Sequence, residues 1–396
     1  MKTENMQQSY AAGEGKSFVP APPQPPRRLP RRTFLRGVGM GAVLLAPGAA
    51  TLLASNEKRK GHDHFDDGKL NKGDAALLRF AAAAEIIESD FWLQYNELAG
   101  IQDNEVPGGT GNPAYTEAVN QLDEDMNVYI HDNTEDEISH FTFLNAYLMS
   151  RGAAPVNLDQ FFTLPGSTAT GSSGKLRLTN LTRLTLDTSW WTRYRDPNHN
   201  PDLEPNHVFP QAVPDLFTGE HTAIPRTDAD TTDPDFLQVI ANTAAFHFPT
   251  IEQGGNSLYP SMALKAKDTE VLRILISIGP TETMHFQTWQ DKAGNAPAIS
   301  ATDPVTHVSV TFPDLTGDTT PVTELFQNNL IMPEPCPFIN PSLPVCSVIR
   351  PVNTNGTAAG VVKFLTDMGL FKGQVPAFFN LLNQLAAAAD GAGHDD

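Results

Sequence analysis

The alternation of apolar and polar positions predicts two pairs of long helices, each with acidic residues on its buried face. The first helix is predicted from Asp74, expected to cap its N-terminus, to Gly100, which stops it. The residues expected on its buried face recur at steps of three and four positions and are Ala81, Glu85, Glu88, Trp92 and Tyr95. A carboxylate on a buried face must be paired, protonated or bound to a metal ion.

The second predicted helix covers residues 114–150 and carries a carboxylate and an imidazole on its buried face. Glu137 and His140 are one turn apart on this face, so both side chains leave the helix on the same side. Glu135 and Asp136 fall off the face and are expected to be solvated. The other members of the face are Val119, Leu122, Met126, Tyr129, Asn133, Leu144 and Leu148.

The third and fourth predicted helices repeat this plan. The third begins near Asp233 and carries Glu252 with Tyr259 two turns later, as Trp92 follows Glu85 in the first helix. The fourth begins near residue 268 and ends at residue 294. Its apolar face is completed by a second Glu-x-x-His pair, and the members of that face are Val271, Leu275, Ile278, Glu282, His285 and Trp289.

A long connection, residues 153–232, separates the two helix pairs. It is rich in Pro, Gly, Thr and Asn, and a crossover of this kind is required where the second and third helices of a bundle run parallel. A short strand is predicted within residues 179–186. The Glu204 to His207 match to Glu-x-x-His is interpreted as chance, because Pro205 excludes a regular helix.

Two Glu-x-x-His pairs, each preceded by a helix with a buried glutamate, form the ligand set of a di-metal four-helix bundle. The predicted fold is therefore all-α. Four carboxylates and two neutral imidazoles suit two iron or two manganese ions better than metals that prefer soft ligands. The alternative is that each Glu–His pair is a buried hydrogen-bonded pair without metal.

The chain resembles the ferritin-like superfamily, particularly the exported ferritin-like proteins grouped with desiccation-related proteins. Residues 85–92, EIIESDFW, are similar to that group's first-helix pattern of two glutamates followed by two aromatic residues. The resemblance covers residues 74–152 and 233–292 and leaves out the crossover and the C-terminal hundred residues.

The resemblance implies metal ligands at particular positions. Those that match the family pattern are Glu137, His140, Glu252, Glu282 and His285. The first-helix ligand stays open between two glutamates, since the spacing to Trp92 favours Glu85 and the spacing to Tyr95 favours Glu88. Trp92, Tyr95 and Tyr259 are expected beside the ligands.

The N-terminal region, residues 1–54, looks like a twin-arginine export signal. Residues 31–36, RRTFLR, precede an uncharged and moderately apolar run at 37–54, although Pro30 replaces the usual Ser or Thr. The twin-arginine export machinery is thus an expected partner, and the expected location is periplasmic or extracellular. A membrane anchor is the alternative. Residues 55–73 are predicted to be a polar linker.

Composition narrows the functional classes. A hydrophobic content of 40% with 18% charged residues is typical of a globular protein. A net charge of −19 argues against nucleic acid and anionic membranes as partners. In an oxidising compartment Cys336 and Cys346 are expected to form a disulfide, and two unpaired thiols are the alternative.

The C-terminal region, residues 293–396, is predicted to be a Pro/Thr-rich extension with a short strand at 308–312. Two apolar-faced helices are predicted at 357–371 and 374–389, either packed on the bundle or forming a homo-oligomer contact. The bundle itself is predicted over residues 74–292.

Three functional hypotheses follow. The first is an oxidoreductase that handles iron, dioxygen or peroxide in oxidative-stress protection, with a small oxidant or a metal ion as its partner. The second is a stress- or desiccation-related structural or binding protein without turnover. The third is metal storage, which would need a cage-like oligomer that the long insertions disfavour.

Overall fold

The computed structural model describes residues 68–195, 206–315 and 357–393, with the strand residues 333–334 and 346–347. The predicted export signal, Glu204 and Cys336 lie outside the described residues, so the export signal and the disulfide stay predictions. Eight helices and three two-stranded sheets occur in the described part of the chain. None of those helices is long and apolar enough to cross a membrane.

Four long helices form the bundle, which confirms the predicted all-α fold. Helix α1 packs against α3, and α5 packs against α6, so sequence neighbours pair within each half. The short α2 lies against α1, α3 and α5. The bounds are α1 Lys72–Ala99, α2 Pro113–Asn120, α3 Met126–Ser150, α4 Ser189–Arg193, α5 Pro234–Ala263 and α6 Thr269–Ala293.

The prediction that Asp74 caps α1 is wrong. Asn71 is the N-cap, and its side-chain oxygen accepts from the backbone N–H of Asp74 at 2.8 Å. The Asp74 carboxylate instead accepts from the backbone N–H groups of Lys267 and Asp268 at 2.9 and 2.8 Å. Asp74 therefore ties the start of α1 to the connection between α5 and α6.

The prediction of one helix over residues 114–150 is also wrong, because a break at 121–125 separates α2 from α3. Contacts from the end of α6 hold the break: Lys292 Nζ donates to Asp123 at 2.6 Å, and Asn295 donates to the Leu122 carbonyl at 2.9 Å. Leu122 and Met126 are both buried on either side, so the apolar periodicity runs through the break and conceals it.

The crossover is anchored to the bundle by a buried carboxylate. Asp90 of α1 accepts from the backbone N–H groups of Leu178 and Thr179, at 2.9 and 2.8 Å, and from the Thr179 hydroxyl. The strand predicted at 179–186 is wrong. The backbone amides there donate to carbonyls of two separate segments, residues 216–221 and 368–370, and one isolated bridge, Leu184 with His221, occurs. The regular elements of the crossover are β1 Leu164–Pro165, β2 Leu176–Arg177, α4 and the 3-10 turns Asp159–Phe161, Pro214–Phe217 and Asp228–Thr231.

The segment after α6 begins with an antiparallel hairpin, in which Ile299 pairs with Phe312. Farther on, α8 (Pro376–Asp390) packs against α1 and α7 (Ala358–Asp367), with Phe378, Leu382 and Leu385 buried. Of the two alternatives for the C-terminal helices, packing on the bundle is therefore the one found for α8. The elements are β3 Ile299–Thr302, β4 Ser309–Phe312, β5 Pro333–Glu334, β6 Cys346–Ser347, α7 Ala358–Asp367 and α8 Pro376–Asp390.

Candidate metal centre

Two groups of potential metal ligands converge between the four long helices. In each group four side chains place one donor atom apiece within 4.8 Å of one another, and all of these residues are buried. Glu137 and Glu282 belong to both groups. The first group is Glu85, Glu137, His140 and Glu282, and the second is Glu137, Glu252, Glu282 and His285.

The first group is centred on the His140 imidazole. Its Nδ1 lies 3.0 Å from Glu137 Oε2, 3.2 Å from Glu85 Oε2 and 3.6 Å from Glu282 Oε1. These carboxylates come from α3, α1 and α6, so three helices contribute to one cluster.

The second group mirrors the first around His285. His285 Nδ1 lies 3.1 Å from Glu137 Oε1 and 3.5 Å from Glu252 Oε2. Glu137 therefore turns one carboxylate oxygen toward each imidazole. This arrangement is that of a carboxylate positioned to bridge two neighbouring cations.

Several donor atoms in the cluster are buried without a hydrogen-bond partner. They are both carboxylate oxygens of Glu282 and Oε2 of Glu252. An unpaired buried polar atom costs about 1–3 kcal/mol, and a charged one costs more. Such atoms converging on one place fit metal ligation, which would satisfy all of them together.

The backbone of α5 leaves room for the shared carboxylate of Glu282. A Cβ atom added at Gly255 would lie 2.4 Å from Glu282 Oε2 and 3.0 Å from its carboxyl carbon. Glycine at this position therefore allows a ligand from α6 to lie directly against α5.

The pKa values of the cluster describe a metal-free state in which protons balance the negative charge. Burial raises the pKa of Glu85 to about 7, against the opposing attraction of His140. Burial, with the repulsion of neighbouring glutamates, raises the pKa of Glu282 well above its usual range. Burial alone would lower the pKa of His140, but Glu85 and Glu137 outweigh it and raise the value to about 12.

Glu137 is the exception among these carboxylates. Burial alone would raise its pKa, but His285 and His140 outweigh that effect and hold the pKa well below the usual range. It is thus the carboxylate that stays ionised between the two imidazoles. Metal binding to the cluster would displace the protons held by the other members.

Hydrogen bonds from neighbouring side chains orient the ligands. The Tyr259 hydroxyl donates to Glu85 Oε1, and Trp92 Nε1 donates to Glu252 Oε1 at 3.2 Å. Asn133 Nδ2 donates to Glu137 Oε1 at 2.6 Å. Such partners fix the rotamers of metal ligands and tune their basicity.

Asp136 is partly solvated, with its side chain 47% exposed, but it also contacts the cluster, which was not predicted. Its carboxylate lies 3.0 Å from Nε2 of His285, the nitrogen that faces away from Glu137. A carboxylate on the far nitrogen orients a ligating imidazole and raises its basicity. Periodicity could not predict this role, because Asp136 lies off the buried face of α3 and reaches a residue of another helix.

The structure places the two first-helix glutamates differently. Glu85 belongs to a ligand group, whereas Glu88 does not, although Glu88 is buried and its Oε2 has no hydrogen-bond partner. Burial, with repulsion from Glu137, Glu85 and Glu252, raises the pKa of Glu88 well above its usual range. Glu88 therefore interacts electrostatically with the glutamates of the cluster but belongs to neither ligand group.

Tyr95 bonds to a histidine instead of a predicted ligand. Its hydroxyl lies 2.8 Å from Nδ1 of His247, which is fully buried. Burial lowers the pKa of His247 to about 3, so this imidazole is neutral. The Tyr95 ring packs against Trp92, with ring centroids 5.9 Å apart, and Trp92 in turn donates to Glu252.

Comparison with protein families agrees with this geometry. A family model described as a ferritin-like domain matches residues 73–295, more than half of the chain. The chain therefore belongs to the ferritin-like domain family. No curated protein and no solved structure matches it. The class of protein is thus a ferritin-like bundle with buried Glu/His clusters compatible with metal binding.

Proposed function

We propose that this chain is an exported ferritin-like protein with a carboxylate-bridged di-iron or di-manganese centre that handles iron, dioxygen or peroxide in stress protection. The observation that carries the proposal is the pair of buried ligand groups sharing Glu137 and Glu282. One group alone would be compatible with a hydrogen-bonded ion pair. Two groups with shared carboxylates are the arrangement expected for two ions.

The residues divide into bridging and terminal ligands. Glu137 and Glu282 would bridge, while one terminal carboxylate and one imidazole would complete each site. Four carboxylates carry the charge that two divalent cations neutralise, and mixed oxygen and nitrogen donors favour iron or manganese. Two such metal ions, when bound, would supply electrons and Lewis acidity for reactions of dioxygen or peroxide.

Reduction of dioxygen or peroxide consumes protons, and Glu88 is suited to hold one. Burial and neighbouring glutamates raise its pKa well above the usual range, so Glu88 holds a proton more tightly than an ordinary carboxyl group. It is three residues from Glu85 on the same helix and lies outside both ligand groups. We assign Glu88 to proton delivery and Glu85 to metal binding.

The enclosure of the cluster limits the substrate to a small molecule. The side chains of the four glutamate ligands are at most 2% exposed, whereas those of His140 and His285 are 11% and 10% exposed. The exposed edge of the site therefore lies at the two imidazoles of α3 and α6. A metal ion, dioxygen or peroxide is small enough to enter there.

The proposed export rests on the paired arginines of residues 31–36 and the uncharged run that follows them. The twin-arginine route carries folded proteins, which suits a chain that receives its metal before export. A periplasmic or extracellular location is the corresponding proposal. Fractionation of cells that express the full chain beside a variant with Arg31 and Arg32 changed to Lys tests it. Equal export of both would contradict the proposal.

The functional test compares Glu88→Gln with Glu85→Gln in metal-reconstituted protein. Peroxide decay, dioxygen uptake and ferrous-ion oxidation are followed, and bound metal is counted in the same samples. Glu85→Gln is expected to lower metal content, whereas Glu88→Gln keeps the metal and slows turnover about 10²-fold or more, as removal of a proton donor does. A loaded wild-type protein that consumes none of the three substrates would refute the catalytic proposal and leave a metal-binding stress protein.

A further inference from the structure

A second set of metal-ligating side chains lies outside the di-metal centre, where the loop after α1 meets α3. His131 Nε2 lies 3.0 Å from Asp103 Oδ2 and 3.9 Å from Glu105 Oε2. The three donor atoms are within 4.8 Å of one another. Ligands about 2.0–2.2 Å from one ion are themselves about 3–4 Å apart, so this spacing suits a single ion.

The local backbone holds these side chains in place. The N–H of Glu105 donates to Asp103 Oδ1 at 2.9 Å, which leaves Asp103 Oδ2 facing His131. His131 is in the second turn of α3 and only 9% exposed. Its other nitrogen, Nδ1, faces Asp132 Oδ1 at 3.6 Å. A carboxylate on that side favours Nε2 as the ligating atom.

Protons, not basic side chains, balance the negative charge of this cluster. Burial alone would lower the pKa of His131, but its hydrogen bond with Asp103 and the charge of Glu135 outweigh burial and raise it. Glu105 Oε2 is buried without a hydrogen-bond partner. Burial and repulsion from Glu135 and Asp103 raise the pKa of Glu105 to about 7. Among the described residues, His131 forms ion pairs with Asp103, Glu105 and Asp132. No described lysine or arginine forms an ion pair with these three carboxylates. A bound cation would satisfy the orphan oxygen and relieve the repulsion.

We propose that Asp103, Glu105 and His131 bind a divalent transition-metal ion, separate from the di-metal centre. Two carboxylates and an imidazole favour Mn²⁺, Fe²⁺ or Zn²⁺ over Mg²⁺ and Ca²⁺, which prefer oxygen ligands alone. The Asp103 side chain is 41% exposed, so water completes the coordination and the ion exchanges with solvent. No ligand is shared with the two groups around Glu137.

Equilibrium dialysis of the full chain against Mn²⁺, with bound manganese counted by elemental analysis, tests the proposal. The expected result is one ion per chain fewer in His131→Ala than in wild type, and at least tenfold weaker binding of that ion in Glu105→Gln. His307→Asn is the matched control, because His307 is exposed and its left-handed backbone, φ 58°, suits asparagine. The control should bind as many ions as wild type.

The count is a difference from wild type, so it does not depend on how many ions the di-metal centre holds. Circular dichroism without metal establishes that each variant is folded. If His131→Ala does not fold, Glu105→Gln carries the test, because it keeps the side-chain size and relieves repulsion. Manganese binding that is the same in wild type and in the folded variants, in number and affinity, would overturn the proposal.

Discussion

Two adjacent glycines in α5 allow a direct test of the Glu282 position. A Cβ atom added at Gly254 meets nothing within 4 Å, whereas one added at Gly255 would lie 2.4 Å from Glu282 Oε2. Both glycines are buried within the same helix. The substitutions Gly254→Ala and Gly255→Ala therefore add the same methyl group, once into open space and once against a proposed bridging ligand.

The magnitudes follow from helix propensity and packing. Alanine in place of an interior helical glycine stabilises by about 0.5–1 kcal/mol, which is the expected gain for Gly254→Ala. At Gly255 overpacking costs about 1–3 kcal/mol, so the net effect ranges from about neutral to about 2.5 kcal/mol of destabilisation. The Glu282 carboxylate must retreat by about 1 Å to reach an ordinary contact distance of 3.4 Å. Displacing a ligand should weaken metal binding at least about 10–100-fold, as loss of an orienting neighbour does.

The assay combines thermal unfolding of the metal-free proteins with metal affinity measured by competition against a chelator. Gly254→Ala should unfold at a higher temperature than wild type and bind metal equally well. Gly255→Ala should bind metal more weakly even where its fold is intact. Equal metal affinity in the two folded variants would refute the assignment of Glu282 as a ligand.

Three further outcomes are expected. Asp136→Asn should weaken metal affinity about 10–100-fold in the chelator competition, since it removes the carboxylate that orients a ligating imidazole, and unchanged affinity would count against that role. Tyr95→Phe should lower the free energy of unfolding by about 1–3 kcal/mol in denaturant titrations, because it leaves buried His247 without its partner, while metal content stays constant. In the metal-free folded chain the pKa of Glu85 is about 7, above its ordinary value of 4.5. The stability that this carboxyl group contributes is therefore complete below pH 4.5 and is lost as the pH rises through about 7. The thermal unfolding temperature of the metal-free protein should therefore decrease as the pH rises from about 5 to 8. That of the metal-loaded protein should stay constant over this range, because metal replaces the protons.

The bundle and its ligand groups were open to prediction because burial and chemistry coincide on one periodic face. Glu137 with His140 and Glu282 with His285 repeat at helical spacing within apolar stripes, so a polar residue there demands an explanation. The choice between Glu85 and Glu88 could not be made from spacing, since both are on the same face of α1. It depends on which carboxylate the partner helices approach.

Contacts between elements that are distant in sequence escaped prediction. Asp136 contacts His285 of another helix from a partly exposed position. The Asp74 carboxylate accepts a hydrogen bond from the backbone N–H of Asp268, at the start of α6. The break before α3 is invisible because Leu122 and Met126 keep the apolar period through it. Asp103 and Glu105 are in an irregular loop, where no period relates them to His131.

Two metal ions that share Glu137 and Glu282 would be visible in a crystal structure of the metal-reconstituted protein, with anomalous data collected at the iron and manganese edges. We expect two anomalous peaks per chain, one beside Glu85 and His140 and the other beside Glu252 and His285, with both shared glutamates in contact with each. A single peak, or none at these residues after reconstitution, would contradict the shared two-ion site.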